Sequence, residues 1–387
     1  MRLVAAGAVL VAGAIWLGAG QGWRQAALWL VGAALGLSLY HATFGFAGAF
    51  RALLAERRGA GLRAQMLMLA IAVLLFQPVL AGGEFLGQPV RGFVFPVGLA
   101  LALGAFLFGI GMQLGGGCAS GTLYAVGGAS GRSLLTLACF IAGATLAAWQ
   151  AELWQELPAL PAVSLPERLG LWPAIALALG AFALVARASA VLERRRHGGV
   201  EPIFAAGSGR RALLAGPWPL AWGALALAGL NFATLALAGR PWAITAALPL
   251  WGALAVEALG WDDLVFWSYW EEPTRVEALL RPLATDRTTV MNLGLIAGAA
   301  LAAALAGRLR PVWRIPAGEA AGAVVGGLLL GIGAVLAFGC NVSAYFSGIA
   351  SGSLHGWAWI LPGLLGNWVG LRLRPAFSMA QARGTAL

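Results

Sequence analysis

Apolar residues run along this chain in segments of about 20, separated by short stretches rich in arginine, glycine and proline. A helix of about 20 mostly apolar residues is long enough to cross the hydrocarbon core of a bilayer. The pattern therefore predicts an all-α polytopic membrane protein with about ten crossing helices. The predicted crossings are 3–20, 25–44, 62–81, 96–115, 133–150, 170–192, 212–239, 288–307, 317–337 and 354–371.

Two segments leave alternatives open. Residues 1–20 have the form of a secretory signal, with Arg2 ahead of an apolar run. More apolar segments follow at once, so we expect a retained first helix or signal anchor. Segment 241–260 is apolar but interrupted. It either crosses the membrane or dips into it as a re-entrant piece, and we favour the second.

Composition supports the membrane class. Hydrophobic residues make up 60% of the 387 residues, charged residues 10%, and the mean hydropathy is +0.83. The net charge of +10 comes from 25 basic residues, all of them arginine, which suits the basic loops of an inner-membrane protein and an anionic substrate. Three cysteines cannot build a disulfide framework. With no metal-ligand spacing, phosphate loop or basic-aromatic stripe, we expect no metal, no cofactor and no nucleic acid.

Arginine placement predicts the orientation, because cytoplasmic loops carry the excess of positive charge. Loops 51–63 and 194–211 are arginine-rich and therefore cytoplasmic, and the acidic loop 151–168 is outside. If 241–260 only dips into the membrane, the arginines of 308–314 are also cytoplasmic. The cysteine loop near residue 118 then enters from the inside, and the one near residue 340 enters from the outside.

An internal repeat joins these two loops. Residues 104–118 and 326–340 are identical at eight of fifteen positions and both end in Gly-Cys. Opposite directions of entry predict two inverted repeats, as in transporters whose broken helices meet near the bilayer midplane. The predicted organisation is an extra N-terminal transmembrane helix at 1–24, a first repeat at 25–192, a basic cytoplasmic linker at 193–211 and a second repeat at 212–387. Re-entrant Gly-Cys loops lie at 115–132 and 337–353.

The Gly-Cys turns are the candidate substrate pathway. Gly117 and Cys118 are followed by Ser120, and Gly339 and Cys340 by Asn341. Non-helical backbone at membrane depth persists where it is buried or lines a cavity, and the helix start that follows it offers amides to an anion. A thiol suits a ligand that carries a soft sulfur of its own. The alternative is close helix packing by glycine with cysteine as a small buried residue.

Other polar residues carry weaker predictions. Ser120 and Asn341 either donate hydrogen bonds to an oxyanion or cap the broken helices. Cys139 lies in an apolar run and is expected to serve packing, and His355 is expected to be a satisfied interfacial residue rather than a proton relay. Asn231 and Asn292 are polar residues within apolar runs. Two interpretations stay open for each of them, a functional role and a hydrogen bond between helices. The acidic and aromatic stretch 261–272 is expected to be an outside loop with an interfacial helix; the alternative is a lid over the entrance.

The two cysteine stretches, 108–124 and 339–357, resemble the YeeE/YedE family of bacterial membrane proteins, and the resemblance extends over about 36–370. It implies an hourglass of crossing helices with short re-entrant helices, and uptake of thiosulfate past three cysteine thiols. Cys118 and Cys340 match the second and third thiols. Gly45 stands where the family has the first. The resemblance also implies the inner membrane and a TusA-like cytoplasmic sulfur carrier as partner.

Three functions are therefore open. The preferred one is a permease, not an enzyme, for thiosulfate or a related sulfur or selenium anion. A second is a membrane protein that forms a persulfide on Cys118 or Cys340. A third is a non-transporting subunit that recruits a cytoplasmic sulfur carrier through its basic loops. The absence of the first thiol keeps this third function open.

Overall fold

The computed structural model describes residues 2–205 and 210–379 and is predominantly helical over them. Residues 206–209 of the predicted linker and 380–387 of the predicted second repeat lie outside these ranges, as does Met1 of the predicted N-terminal segment. Within the described ranges the α-helices are α1 (Arg2–Gln21), α2 (Trp23–Ala42), α3 (Phe46–Arg51), α4 (Ala60–Gly82), α5 (Leu99–Gly115), α6 (Ala119–Gly127), α7 (Gly131–Trp149), α8 (Ala151–Gln155), α9 (Leu165–Leu169), α10 (Leu171–His197), α11 (Arg210–Ala215), α12 (Leu220–Ala238), α13 (Ala247–Ala258), α14 (Pro273–Leu280), α15 (Arg287–Leu305), α16 (Ala317–Leu336), α17 (Ser347–Ala350) and α18 (Leu354–Leu373).

Shorter elements join these helices. Two π-helical segments lie at Ala52–Glu56 and Asn341–Phe346, and 3-10 turns lie at Ile244–Ala246, Leu264–Phe266, Ser268–Glu271, Leu283–Thr285 and Arg374–Phe377. Two-residue strands form two antiparallel pairs, β1 (Glu84–Phe85) with β2 (Gln88–Pro89) and β3 (Val97–Gly98) with β4 (Ala159–Leu160). The second pair ties the start of α5 to the segment that precedes α9.

Nine helical segments of the described ranges are long and apolar enough to cross a membrane. They are Arg2–Gln21, Trp23–Glu56, Ala60–Gly82, Leu99–Gly127, Gly131–Trp149, Leu171–His197, Leu220–Ala238, Arg287–Leu305 and Ala317–Ala350. The predicted class, an all-α polytopic membrane protein, is confirmed. The tenth predicted crossing corresponds to α18, which has 20 residues but carries His355, Asn367 and Arg372 and is not among the nine.

One predicted boundary is wrong. The crossing expected at 212–239 begins only at Leu220. Gly216, Pro217 and Pro219 lie just before it. Proline lacks the amide hydrogen that a helix interior needs and clashes with the preceding turn, so the apolar run divides into α11 and α12.

Contacts between loops show which loops lie at the same end of the helical bundle. At one end Arg63 pairs with Glu193 at 2.6 Å, which joins the start of α4 to the end of α10. At the other end the amide of Leu165 donates to the carbonyl of Gly352 at 2.7 Å. We call the arginine-rich end the inner end, following the charge rule for cytoplasmic loops.

Segment 241–260 does not cross the bundle. It forms a 3-10 turn followed by the 12-residue α13. Both of its flanks lie at the outer end: Gly239 accepts a hydrogen bond from the amide of Arg91, and Thr285, in the loop that follows, accepts one from Gln25. Val312 lies at the inner end, where its carbonyl accepts from the amide of Gly131 at 3.0 Å. The contacts agree with the re-entrant alternative.

Glycine lets the central helices approach each other closely. A methyl group on Gly109 would lie 2.3 Å from the carbonyl oxygen of Gly363 on α18. One on Gly331 would lie 2.3 Å from the amide of Ala144 on α7. In lipid the hydrophobic effect does not drive helices together, and close van der Waals packing stabilises their association instead. Small residues at such crossings allow this close packing of the backbones. This packing fixes α5 and α16, which carry the two cysteine loops.

Candidate functional site

The Cys118 loop begins where α5 stops. Gly116 follows with φ +90°, a conformation that favours glycine, and Arg132 donates to the carbonyl of Leu114 at 2.9 Å. This bond satisfies a carbonyl that the helix end would otherwise leave unpaired at membrane depth. Cys118 then starts α6 and is only 1% exposed, with its sulfur 3.3 Å from the hydroxyl of Ser120.

The Cys340 loop repeats this arrangement with tighter geometry. Gly339 has φ +140°, and a methyl group there would lie 2.5 Å from Cβ of Ser343. Cys340 is fully buried and precedes the π-helical segment, and its sulfur accepts the amide hydrogen of Val342 at 3.3 Å. The hydroxyl of Ser343 lies 3.8 Å from the same sulfur. The bond from Val342 uses the sulfur as an acceptor and leaves its S–H available as a donor.

The two loops bring their thiols toward each other from opposite ends. α5 runs from the outer end to the inner end before its loop, and α16 runs the other way. Cys118 and Cys340 nevertheless belong to the same buried core. Two broken helices thus begin with buried thiols inside the bundle.

A cavity of about 900 Å³ reaches this region from the outer end. Its floor includes Gly339 and Ser343, the residues that flank Cys340. Thr245, at the re-entrant segment, lies in its wall with its hydroxyl 3.5 Å from that of Ser343. The outer cavity therefore leads directly to the Cys340 loop.

Four arginines and three carboxylates line the outer cavity, and three of the arginines form no ion pair with a described residue. Among the described residues no carboxylate lies within 4.0 Å of Arg91, Arg240 or Arg287, and Arg240 lies within electrostatic range of Arg287. The carboxylates in the same wall have partners of their own. Glu272 pairs with Arg275, Glu277 pairs with Arg281, and Asp286 accepts from the amide of Thr289.

An aromatic segment forms part of the outer wall. Tyr269 and Trp270 line the cavity, and the guanidinium of Arg275 lies 4.1 Å from the centre of the Tyr269 ring. Burial raises the pKa of Tyr269 above its ordinary value of 10.0, so the phenol is neutral at physiological pH. The stretch expected to be an outside loop thus covers one side of the entrance.

A smaller cavity of about 220 Å³ lies at the inner end. Gly45, just before α3, and Gln65, on α4, are in its wall. The only arginine among its described lining residues is Arg58, which forms an ion pair with Glu201, also in the wall. Gln113 holds α3 in place, because its amide donates to the carbonyl of Ala47 at 3.1 Å.

Tyr124 connects the inner cavity to the thiols. A methyl group on Gly45 would lie 3.8 Å from its hydroxyl. Cys118 is within electrostatic range of the same phenol. The outer cavity thus ends at the neighbours of Cys340, and the inner cavity ends at Gly45, beside Tyr124.

Of the seven residues predicted from the sequence for the pathway, Gly339 lines the outer cavity, Gly45 lines the inner cavity and the other five are buried; their common role as a pathway stays a prediction. The seven are Gly45, Gly117, Cys118, Ser120, Gly339, Cys340 and Asn341. Asn341 is fully buried, and neither atom of its amide has a hydrogen-bond partner among the described residues. Its role as a donor to a ligand remains a prediction, whereas Ser120 is already bonded to the Cys118 sulfur.

The remaining predicted residues lie elsewhere. Cys139 is half-buried on α7, where its Cβ faces Gly327. His355 is fully buried, so the expectation of an interfacial residue is wrong; it packs beneath Gly348, and its Nδ1 lies 2.7 Å from the hydroxyl of Ser353. Asn292 donates to the carbonyl of Ile244 and so anchors the re-entrant segment. Asn231 bonds one turn back within α12.

Sequence reasoning missed Tyr124 and Gln65 as site residues. A polar residue inside a predicted crossing was a signal for Gln65. For Tyr124 the signal was its position within the cysteine motif, six residues after Cys118. As for metal binding, the described residues contain no group of three or more histidine, cysteine, aspartate or glutamate side chains that could hold an ion.

A helical membrane protein with broken helices inside the bundle and a cavity at each end has features typical of a transport protein. The chain belongs to the family described as Sulphur transport, whose model matches residues 41–369. This confirms the resemblance to the YeeE/YedE family.

Two kinds of relative are similar to it. The chain is 29% identical to the Thiosulfate transporter TsuA of Spirochaeta thermophila over 369 residues, which cover 88% of this chain and 96% of that protein. It is 32% identical over 168 residues to the Probable transporter YedE of Salmonella typhimurium, or 41% of this chain and 39% of that one. The Probable transporter YedE of Escherichia coli is 32% identical over 146 residues, or 36% of this chain and 34% of that protein. The chain thus matches less than half the length of either YedE protein.

Proposed function

We propose that the protein is an inner-membrane permease that takes up a small sulfur-containing anion, thiosulfate first, past Cys340 and then Cys118. The observation that supports the proposal is that the outer cavity reaches Gly339 and Ser343, which flank the buried Cys340. The similarity to a thiosulfate transporter along 88% of the chain supports the same substrate. The two cysteine loops would then belong to two inverted repeats, at 25–192 and 212–387, within the hourglass that the family resemblance implies.

The chemistry of the constriction suits such an anion. Each thiol offers a weak S–H donor and a polarizable sulfur, which matches the terminal sulfur of thiosulfate better than it matches an ordinary oxyanion. The amides at the starts of the helices that follow attract negative charge. Asn341, whose buried amide is unpartnered among the described residues, supplies a donor for the sulfonate oxygens.

Each end of the pathway has a separate task. Arg91, Arg240 and Arg287 raise the local concentration of anions at the outer entrance. The sequence has no phosphate-binding loop for ATP, so uptake is passive, coupled to an ion or drawn by consumption of the sulfur inside. A TusA-like carrier at the inner end would provide such consumption, and that partner stays a prediction.

The proposal is tested by uptake of radiolabelled thiosulfate into proteoliposomes. We expect Cys118→Ala and Cys340→Ala each to lower the initial rate by at least about tenfold, because each removes a donor that a desolvated anion needs. Cys139→Ala is the matched control and should transport like the wild type. Equal loss in all three variants, or none in the first two, would contradict the pathway.

The chemical form of the radiolabel found inside the vesicles distinguishes the three candidate functions. Intact thiosulfate inside the vesicles supports the permease. A persulfide on Cys118 or Cys340, detected by mass spectrometry with no intact thiosulfate inside, supports a sulfur-transfer role instead. Absence of uptake together with binding of a TusA-like carrier supports a recruiting subunit.

A further inference from the structure

Gln65 is a buried polar side chain whose hydrogen-bonding capacity is unused by the protein. It is 0% exposed, on the second turn of α4, and it lines the inner cavity. Neither its amide nitrogen nor its amide oxygen has a hydrogen-bond partner among the described residues. A buried amide without partners costs free energy, so its retention at this position points to a ligand.

The surroundings of Gln65 restrict what that ligand can be. Gly45 faces the same cavity and leaves the approach from Tyr124 open. The one arginine among the described lining residues, Arg58, is neutralised by Glu201. A hydrogen-bond donor without net charge binds an anion weakly, and weak binding is what a site next to an exit requires.

We propose that Gln65 forms a second anion subsite on the inner side of the constriction, at which its amide N–H groups donate to the oxygens of the sulfur oxyanion. This inference rests on the proposed function for its role in uptake. Because the contact is to oxygen rather than to sulfur, the subsite accepts sulfate as well as thiosulfate, and selection for sulfur is left to Cys118 and Cys340.

Transport gives the first test. Gln65→Leu keeps the size of the side chain and removes its donors, and we expect the maximal rate of thiosulfate uptake to fall about tenfold, the usual effect of losing one hydrogen bond to a charged group. The concentration for half-maximal uptake should change less, because capture takes place in the outer cavity. Gln77→Leu is the matched control, since Gln77 is also buried on α4 but lines neither cavity.

Binding gives a second test that does not depend on transport. Gly45→Cys, made together with Cys139→Ala, places one reactive thiol in the inner cavity, and a charged methanethiosulfonate reagent modifies it in detergent solution. Sulfate should slow this modification. Adding Gln65→Leu should raise the sulfate concentration for half-protection about tenfold, and adding Gln77→Leu should leave it unchanged.

The two readouts separate the possible failures. Unchanged sulfate protection in the Gln65→Leu protein overturns the subsite, whatever the uptake result. Protection that depends on Gln65 in a protein that takes up no thiosulfate upholds the subsite and overturns the proposed function. Size-exclusion chromatography checks each variant for misfolding, and Gln65→Glu, which keeps the shape of the side chain, should abolish protection through charge repulsion.

Discussion

The outer and inner cavities lie at opposite ends of the bundle and differ in how their charged side chains are paired. In the outer cavity of about 900 Å³, Arg91, Arg240 and Arg287 have no carboxylate within 4.0 Å among the described residues. In the inner cavity of about 220 Å³, Arg58 is paired with Glu201. The outer cavity is therefore built to attract an anion, and the inner cavity is built to hold it only loosely.

This difference has a simple physical consequence for flux. A site that binds an anion strongly through Coulomb attraction also releases it slowly. Strong attraction at the entrance is useful because it raises the local concentration from a dilute solution. A neutral donor such as Gln65 near the exit lets the ion leave toward the cytoplasm. The asymmetry thus favours inward movement kinetically without any change of equilibrium.

The largest predicted effect comes from comparing one glycine in the wall of each cavity, Gly339 in the outer and Gly45 in the inner. Gly339→Ala places a side chain at φ +140° and 2.5 Å from Cβ of Ser343, so we expect loss of uptake and of most of the monodisperse protein. Gly45→Ala is the counterpart in the inner cavity. Gly45 has φ −132°, and the added methyl would meet only the Tyr124 hydroxyl, at 3.8 Å. It should retain uptake within about twofold of the wild type.

Size-exclusion chromatography and uptake of radiolabelled thiosulfate check both variants. Normal uptake by Gly339→Ala would show that the Cys340 loop tolerates a different backbone from the one described. An equal loss of uptake and of monodisperse protein in the two variants would contradict the prediction that the backbone is closely packed at Gly339 and loosely packed at Gly45.

A smaller effect is expected from the outer charge. Arg240→Gln removes one arginine without a carboxylate partner, and the concentration for half-maximal uptake should rise about fivefold at low ionic strength. Added salt should shrink the difference, because it screens the attraction of the wild-type cavity. Arg168→Gln is the control, since Arg168 is exposed and lies in the described outer end but does not line the cavity. A salt-independent change, or the same change in both variants, would argue against capture by charge.

Features that depend on residues close together in the chain could be predicted from the sequence. Features that depend on contacts between distant residues could not. The length of an apolar run is local, so the membrane class and most of the crossings followed from the pattern. The Gly-Cys turns were local too, because glycine and cysteine stand side by side in the chain. The late start of α12 was also encoded locally, by Gly216, Pro217 and Pro219, but hydropathy alone overlooked it.

The inner cavity could not be predicted in the same way. Gln65, Gly45 and Glu201 come from three distant parts of the chain and meet only because α3, α4 and the end of α10 pack together. The unpartnered amide of Gln65 is likewise a property of that packing rather than of its neighbours in sequence. For the same reason His355, which sequence placed at an interface, is buried beneath Gly348.

The smallest predicted effect tests the inner side of the comparison. Glu201→Gln leaves Arg58 without its main partner and makes the inner cavity resemble the outer one. An anion should then leave more slowly, and we expect the maximal uptake rate to fall about twofold to threefold, in keeping with the modest energy of an exposed ion pair.

The double variant Arg58→Gln with Glu201→Gln decides whether charge is the cause. It removes both partners, restores a neutral cavity and should recover the wild-type rate. If the double variant is as slow as Glu201→Gln, the glutamate acts by anchoring the segment after α10 and not by neutralising Arg58. If Glu201→Gln is faster than the wild type, release at the inner end does not limit uptake, and the functional contrast between the two cavities reduces to capture on the outside.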